Sequence, residues 1–317
     1  MKILLCGTGF SEAISYLEPL LSGYRLIRSP EEKLAEYAGE ADVVIPFMSR
    51  IGDELMTQGR FGFIQQYGVG LESVDVDAAT RHGIWVSRIP GAASGNADSV
   101  AEHAMMLMLM LSRKYADSRE TFNRARLGIP VGQALMNKKA CIVGLGGIGS
   151  ALAYRLHGMK MFLTGVHEYP ERGIPNGIDR LFSLPELPLA LEDADYVVLC
   201  LNYTAMRRHL IGMPEFRAMK KGAFLINVAR GGLVDHDALL EILREQHLAG
   251  AGLDVFEEEP PDPEHPLFKE NVVATPHIAG VTDVSYEGMA RVIAANIDRY
   301  GKGEVPLFTV NHPDKYR

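Results

Sequence analysis

The feature that most constrains the fold is a glycine-rich turn near the middle of the chain. Gly144, Gly146 and Gly149 fit the pattern G-x-G-x-x-G, with an apolar strand-like run before them and a helix-like run after them. In that setting the first glycine permits a tight turn, the second lets a pyrophosphate approach the backbone, and the third lets the helix pack on the strand. The helix N-terminus, which contains Gly147 and Ile148, attracts negative phosphates. The sequence therefore predicts a dinucleotide site in a parallel α/β domain.

Short apolar runs alternate with amphipathic stretches along most of the chain, as is typical of parallel sheets with helical crossovers. Strands are expected at 2–6, 41–46, 61–65, 83–87, 140–143, 161–164, 196–201, 224–228, 252–255 and 272–275, and helices at 76–82, 99–111 and 285–300. The helix that begins at Ser99 is apolar nearly all round, which predicts that it is buried. The last helix is expected to return to the first domain, because the second domain already has a full set of strands.

Length, charge and cysteine usage limit the possible classes of function. The chain has 317 residues, which is about twice the common domain size and favours two domains. Its formal net charge is −8 without basic runs, so no nucleic acid partner is expected. No apolar run reaches the length of about 20 residues that spans a bilayer, and the run after Met1 is too short for a signal sequence, so we expect a cytoplasmic protein without a membrane partner. The spacing of Cys6, Cys141 and Cys200 predicts neither a disulfide nor a metal site.

The cofactor preference depends on the residue about 20 positions after the glycine-rich turn, where an acid usually binds the adenosine ribose. Here the strand predicted at 161–164 is followed by Gly165, and the nearest acid is Glu168. A 2′-phosphate then meets no carboxylate, and His167 or Arg172 is available as its counter-charge. Alternatively, Glu168 turns back to bind the ribose of NAD. We predict NADP or NAD as the cofactor, with a slight preference for NADP.

Three predicted strands after the turn lead into polar side chains: Arg230, the acidic run that ends at Glu259, and His277. Taken singly, these are ordinary features, namely a surface arginine, a solvated charge run and a structural histidine. Consecutive parallel strands, however, bring such residues to one edge of a sheet, where ligands bind in open α/β folds. An arginine suits a carboxylate, and a histidine next to a carboxylate suits proton transfer to a carbonyl oxygen. Together they predict a site that reduces a keto acid.

Several segments resemble the signatures of the D-isomer-specific 2-hydroxyacid dehydrogenases, a family that includes glyoxylate/hydroxypyruvate reductases and phosphoglycerate dehydrogenases. The segments are Asn-Val-Ala-Arg-Gly-Gly-Leu-Val-Asp at 227–235, Leu-Asp-Val-Phe at 253–256 with Glu259-Pro260, Thr-Pro-His-Ile-Ala-Gly at 275–280, Gly-Val-Gly at 68–70, Val-Asp-Val-Asp-Ala-Ala at 74–79 and Ser-Val-Ala-Glu at 99–102. The resemblance covers about residues 68 to 280.

The resemblance implies two doubly wound α/β domains. A Rossmann dinucleotide-binding domain at 99–284 would be inserted into a flavodoxin-like substrate domain made of 1–98 and 285–317. It also implies a homodimer whose helix from Ser99 contacts the partner subunit. The expected activity is hydride transfer between NAD(P)H and a small 2-keto acid, which gives a D-2-hydroxy acid.

The resemblance also implies roles for particular residues. Arg230 would bind the substrate carboxylate and keto oxygen, His277 would be the acid/base, and Glu259 would hydrogen-bond the far nitrogen of His277. The backbone amides of Val69 and Gly70 would complete the carboxylate site. Asp254 would orient the nicotinamide carboxamide. Further cofactor contacts are expected at Gly144, Gly146, Gly147, Ile148, Gly149, His167, Cys200, Leu201, Thr204, Val228, Ala229, Arg230, His277 and Gly280. In the loop at 47–50, Arg50 is a candidate for reading a second anionic group, and the neighbouring Phe47 and Met48 favour an apolar substrate side chain.

Some positions depart from the family pattern. Asn202 stands where proline is frequent, and Val166 stands where the NADP-using glyoxylate reductases tend to have arginine. Three alternatives stay open. Formate dehydrogenases resemble the chain but have glutamine in place of Glu259, phosphite dehydrogenases add a lysine in the segment that matches Val69, and dinucleotide-sensing corepressor-like scaffolds keep the same three polar residues.

Overall fold

The structure, a computed structural model, describes residues 1–7, 11–173 and 175–313, without the side chains of Ser11 and Arg172. The strands are β1 (Lys2–Cys6), β2 (Arg25–Ser29), β3 (Val43–Ile45), β4 (Phe63–Gln65), β5 (Trp85–Ser87), β6 (Lys139–Val143), β7 (Phe162–His167), β8 (Arg180–Ser183), β9 (Tyr196–Leu199), β10 (Phe224–Asn227), β11 (Gly250–Leu253) and β12 (Val272–Ala274). The helices are α1 (Ser11–Leu17), α2 (Leu34–Ala38), α3 (Asp53–Gln58), α4 (Val76–Arg81), α5 (Asn96–Ser112), α6 (Tyr115–Asn123), α7 (Gly147–Gly158), α8 (Leu187–Leu191), α9 (Met213–Ala218), α10 (His236–Arg244) and α11 (Asp283–Gly301).

The chain forms two compact units, one made of Met1–Asn96 and Thr282–Arg317, the other of Ala97–Val281. The first unit contains a five-stranded parallel sheet with the order β2-β1-β3-β4-β5. This is the flavodoxin-like order, in which strands are added first on one side of β1 and then, from β3 onward, on the other. One face of the sheet is covered by apolar residues from α2, α3 and α4. The segment that returns at α11 packs on α1 and β4.

The second unit contains a seven-stranded parallel sheet with the order β12-β11-β10-β9-β6-β7-β8. Its first six strands in chain order follow the Rossmann arrangement, and β12 extends the edge beside β11. Alternate residues of β6 contribute to two separate apolar clusters: Cys141 and Val143 to one, Ala140 and Ile142 to the other. Helices therefore cover both faces, and the predicted fold class, a Rossmann domain inserted into a flavodoxin-like one, is confirmed.

The strand register explains why this sheet can carry a site. Val143 of β6 pairs with Leu199 of β9, Asn227 of β10 with Leu253 of β11, and Leu253 with Ala274 of β12. The last residues of these strands are therefore aligned. Whatever follows each strand emerges at the same carboxyl edge of the sheet.

Two strands were missed by the sequence prediction, and several predicted strand ends are wrong. β2 and β8 were not predicted, since both are edge strands that begin with an exposed arginine and lack a continuous apolar run. β7 continues to His167, so Gly165 lies inside the strand instead of after it. β11 ends at Leu253, which makes Asp254 the first residue beyond it. Met106 on α5 is 38% exposed in the single chain, so burial of that side of the helix stays a prediction that involves a partner subunit.

Candidate active site

The glycine-rich turn joins β6 to α7, and each of its three glycines has different surroundings. Gly144 has φ +100°, and a Cβ placed there would lie 2.6 Å from the Leu201 backbone nitrogen. A Cβ on Gly149 would lie 1.9 Å from the carbonyl oxygen of Gly144, so helix and turn are in direct backbone contact. A Cβ on Gly146 would meet nothing within 4 Å. The turn is therefore closed where backbone packs on backbone and open at the helix N-terminus, which fits a dinucleotide pyrophosphate.

The residues after β9 border this turn from one side. Cys200 is 8% exposed, its backbone nitrogen donates to the Val143 carbonyl at 2.8 Å, and burial raises the pKa of its thiol to about 12. Leu201 lies against Gly144. The Thr204 carbonyl accepts a hydrogen bond from the Arg207 backbone nitrogen at 2.9 Å. Cys200 is therefore a packing residue of the turn and not a reactive thiol.

The residues after β7 border the turn from the other side. A Cβ on Gly165 would lie 2.6 Å from Cδ1 of Leu145, so Leu145 fills the space where a side chain at 165 would begin. His167 accepts a hydrogen bond at Nδ1 from the Tyr169 backbone nitrogen at 3.0 Å. The side chain of Arg172, the other predicted counter-charge, lies outside the described part of the chain. Glu168 forms an ion pair with Arg207.

Arg207 was not predicted from the sequence. Its Nη2 lies 2.9 Å from Oε2 of Glu168, its Nη1 donates to the Asn202 carbonyl at 3.0 Å, and its side chain is only 11% exposed. Asn202 follows β9 and Glu168 follows β7, while β6 lies between those two strands. The ion pair therefore spans the edge of the sheet where β6 runs into the glycine-rich turn.

Arg230 emerges from β10 in a turn held by its neighbour Asn227. The side chain of Asn227, which is fully buried, donates to the Arg230 carbonyl at 2.9 Å and accepts from the Ala229 backbone nitrogen at 3.1 Å. Val228 and Ala229 are each 5% exposed. The next residue, Gly231, packs on the backbone of Phe256, since a Cβ there would lie 1.9 Å from the Phe256 carbonyl carbon. The turn after β10 is thereby fixed against the loop after β11.

That loop carries Glu259, which bridges to the histidine after β12. Oε1 of Glu259 accepts from the Phe256 backbone nitrogen at 3.0 Å, and Oε2 lies 2.7 Å from Nδ1 of His277. Burial alone would raise the pKa of the Glu259 carboxyl. The hydrogen bond with His277 and the charges of His277 and Arg230 outweigh it, so the pKa is lowered. Glu259 is a carboxylate at neutral pH and favours a positive charge on the imidazole beside it.

The structure thus brings together Arg230, Glu259 and His277 at the carboxyl edge of three adjacent strands. Of the three consecutive glutamates, only Glu259 contacts His277 among the described residues, while Glu257 lies 2.5 Å from Nε2 of His209. Asp254, 1% exposed, accepts backbone hydrogen bonds from the segment that contains His277. Gly280, half-buried, follows three residues later. A guanidinium next to a carboxylate-bound imidazole can bind an anion and exchange a proton.

The remaining predicted substrate residues belong to the first unit. Val69 and Gly70 follow β4 after Gly68, whose φ is +132°, and all three are half-buried. Phe47 stacks on Tyr67 with ring centroids 5.1 Å apart. Arg50 is exposed, and its backbone nitrogen donates to Oε1 of Glu31 at 3.2 Å.

Comparison with known proteins gives the class. A model of the "D-isomer specific 2-hydroxyacid dehydrogenase, NAD binding domain" matches residues 105–279. Glyoxylate reductase of Thermococcus litoralis is 35% identical over 296 residues, 89% of this chain and 87% of the relative. D-3-phosphoglycerate dehydrogenase of Archaeoglobus fulgidus is 32% identical over 321 residues, 99% of this chain and 60% of the relative. The apo-structure of D-lactate dehydrogenase from Escherichia coli has a TM-score of 0.84 at 25% identity and covers 98% of this chain and 100% of that chain.

The chain therefore belongs to the D-isomer-specific 2-hydroxyacid dehydrogenase family, and the predicted family and oxidoreductase class are confirmed. Within the described ranges, no helix is both long and apolar enough to cross a membrane. The described side chains also contain no group of three or more histidine, cysteine, aspartate or glutamate residues arranged to hold a metal ion.

Proposed function

We propose that this protein reduces a small 2-keto acid to the D-2-hydroxy acid and catalyses the reverse oxidation. The observation that carries the proposal is the 2.7 Å contact between Nδ1 of His277 and Oε2 of Glu259, on the strand edge that also carries Arg230. Reduction of a keto acid needs a cation for the carboxylate and a proton donor for the carbonyl oxygen. These residues can supply both.

In the proposed reaction, Arg230 binds the substrate carboxylate and polarises the carbonyl oxygen. His277 donates a proton from Nε2 to that oxygen, and Glu259 stabilises the imidazolium until the proton leaves. A reduced nicotinamide bound beside these residues would supply the hydride for the carbonyl carbon. One hydride and one proton convert the ketone to the alcohol, and His277 takes the proton back in the oxidation.

Asp254 and the glycine-rich turn support the binding of a nicotinamide dinucleotide. Ala279 donates to Oδ2 of Asp254 at 2.8 Å, and a carboxylate oxygen accepts about two hydrogen bonds, so Oδ2 can also accept from a carboxamide. The open space at Gly146 suits the pyrophosphate. We propose that the second unit binds the cofactor, with Cys200, Leu201 and the other predicted contact residues around it.

We propose that the protein prefers NADPH to NADH as its cofactor. β7 ends at His167, so His167 stands where the ribose-binding acid of a Rossmann domain usually lies, and it offers no carboxylate to bind a 2′-hydroxyl or to repel a 2′-phosphate. The charge of Glu168, the nearest acid, is paired with Arg207. A guanidinium near the ribose end of the site favours an added phosphate group.

For the substrate, we propose that the amides of Val69 and Gly70 bind the carboxylate. Phe47 and Tyr67 stack on each other in loops after neighbouring strands of the same unit, and Tyr67 is two residues before Val69. They support a small substrate with an apolar side chain. Arg50 is proposed as the residue that would accept a substrate with a second anionic group.

The test is a panel of glyoxylate, hydroxypyruvate, pyruvate and longer 2-keto acids, each assayed with NADPH and with NADH. Loss of reduced-cofactor absorbance, together with a D-hydroxy acid product identified by chiral chromatography, is the expected result. Saturable dinucleotide binding without turnover of any keto acid would instead point to a dinucleotide-sensing scaffold. Turnover of formate or phosphite alone would also contradict the proposal.

We also propose that the protein forms a homodimer. α6 contains no buried residue, and the segment from it onward exposes Phe122 (77%), Leu127 (95%) and Val131 (80%). A run of large apolar side chains in water is typical of a surface that a partner covers. Light scattering should give twice the mass of 34.8 kDa. The double variant F122S/L127S should shift the mass towards that of the monomer. A monomeric mass for the unmodified protein would reject the dimer.

A further inference from the structure

Behind His277 lies a chain of hydrogen-bonded side chains that begins on α5. Nε2 of His103 lies 2.9 Å from Oγ1 of Thr275, and Oγ1 of Thr275 donates to Oδ1 of Asp254 at 2.7 Å. Asp254 is 1% exposed, and the side chain of His103 is 11% exposed. A buried polar side chain needs hydrogen-bond partners, and these contacts are among those that hold Asp254 in place.

Asp254 in turn holds the backbone at His277 and at the two residues after it. Its Oδ1 accepts from the Ile278 nitrogen and its Oδ2 from the Ala279 nitrogen, both at 2.8 Å, and its own carbonyl accepts from the His277 nitrogen at 2.8 Å. His277 has φ +54°, in the left-handed region that residues with a side chain rarely adopt. Such a conformation persists only where the surroundings impose it. The bonds to Asp254 are among the contacts that hold it here.

The direction of the bonds assigns the proton on His103. Because the Thr275 hydroxyl donates to Asp254, its oxygen must accept from His103, and Nε2 of His103 therefore carries hydrogen. Burial lowers the pKa of the His103 imidazole, and the carboxylate of Asp254, 3.5 Å away, opposes this only in part. A neutral ring with hydrogen on Nε2 agrees with both the lowered pKa and the direction of the hydrogen bonds.

We propose that His103 is a positioning residue, which acts through Thr275 and Asp254 to hold the acid/base His277 in its left-handed turn. The inference rests on the proposed function in so far as His277 transfers the proton. His103 lies on a separate helix and takes no part in the reaction itself, but through these contacts it helps to determine the rate. A misplacement of about 1 Å in a catalytic group can slow a reaction about 100-fold.

The test compares two substitutions at one site. H103L removes the donor, and we expect kcat for keto-acid reduction to fall about 10-fold to 100-fold, with a larger solvent deuterium isotope effect because proton transfer has become slower. H103Q restores a side-chain N–H near the position of Nε2 and should recover most of kcat. The matched control is Ser112→Ala on the same helix, which removes a buried hydrogen bond to the Tyr196 hydroxyl at 2.7 Å. It should leave kcat and the isotope effect unchanged.

A measurement without turnover keeps the inference testable if H103L fails to fold. Two-bond ¹H–¹⁵N spectra of the ¹⁵N-histidine-labelled protein, assigned with H103Q, should show the Nε2–H tautomer for His103 at neutral pH. Hydrogen on Nδ1 would overturn the network, as would an H103L enzyme with the kcat and isotope effect of the unmodified protein. An unmodified protein that turns over no keto acid is a failure of the proposed function, and the spectra then decide the network independently.

Discussion

Nδ1 of His277 and Oε2 of Glu259 are 2.7 Å apart, which joins the loop after β12 to the loop after β11. The contact fixes which nitrogen of the imidazole is bound to the carboxylate. Nε2 is the other ring nitrogen, and it exchanges the proton in the proposed reaction. The pair therefore has consequences for both the rate and its pH dependence.

Substitution of His277 by alanine should lower kcat for keto-acid reduction at least about 100-fold, which is the usual contribution of a positioned acid/base. Cofactor affinity should change little, because His277 is one of many predicted contacts and those in the glycine-rich turn and after β7 and β9 are untouched. Steady-state kinetics and calorimetric titration of NADPH measure the two quantities. An H277A enzyme with near-normal turnover would reject the assignment of His277.

Substitution of Glu259 by glutamine should move the pH profile of the reaction. The hydrogen bond and the charge of His277 lower the pKa of the Glu259 carboxyl against the effect of burial, so the carboxylate and the protonated ring favour each other. In E259Q that carboxylate is lost, so the protonated form of the neighbouring ring is favoured less. Reduction, which needs the protonated ring, should therefore lose activity at lower pH than in the unmodified enzyme. Oxidation, which needs the neutral ring, should gain activity at lower pH.

The profiles of kcat/KM against pH in both directions measure this shift. The matched control is Glu258→Gln, which neutralises the adjacent, exposed glutamate and should leave both profiles in place. The sign is fixed by the lowered pKa of Glu259. A shift of either profile to higher pH in E259Q would contradict the proposed pair.

The glycine-rich turn allows folding and cofactor binding to be separated. Gly149→Ala places a methyl group 1.9 Å from the Gly144 carbonyl oxygen, so it should destabilise the fold by about 1–3 kcal/mol or more. Gly146→Ala meets no atom within 4 Å, and its φ of −72° is allowed for alanine. Its stability should stay within about 0.5 kcal/mol of the original, while its NADPH affinity falls at least about 10-fold because the methyl group occupies the pyrophosphate space.

Chemical denaturation and calorimetric titration of each variant give the two numbers. The two alanines are controls for each other, since they differ only in what their Cβ meets. A Gly146→Ala protein with unchanged stability and unchanged affinity for both dinucleotides would place the cofactor elsewhere.

How much of the site the sequence predicts depends on whether a residue's position follows from its strand. Arg230 and His277 come soon after apolar runs, and parallel strands in register end at one edge, so the sequence could predict that they share an edge. Glu259 is different, because three glutamates follow β11 and strand order does not choose among them. The family resemblance pointed to Glu259, and the structure places it beside His277.

Other features could not be predicted because they arise only from packing. β2 and β8 are edge strands with polar residues in their sequences, so they lack the apolar signal of the inner strands. The His103–Thr275 contact joins residues 172 positions apart. Arg207 follows β9 and meets Glu168 after β7 only because β6 lies between those strands. No local pattern in the sequence contains that adjacency.

The Arg207–Glu168 pair makes the proposed NADPH preference testable from both partners. Arg207→Met removes the guanidinium and should weaken NADPH binding about 10-fold, the equivalent of about 1.4 kcal/mol, with a smaller effect on NADH, which has no 2′-phosphate. Glu168→Gln removes the carboxylate that neutralises Arg207, so it should strengthen NADPH binding relative to NADH. Calorimetric titration of both dinucleotides gives the ratio of dissociation constants without any assay of turnover.

Arg208→Met is the matched control, since Arg208 is 67% exposed in its side chain and lies 4.0 Å from Glu257. Opposite changes of the ratio in R207M and E168Q, with none in R208M, are expected because one variant removes the cation and the other its competitor. A ratio that favours NADH at least tenfold in the unmodified protein would contradict the preference, and a ratio unmoved by either variant would show that the pair lies away from the ribose.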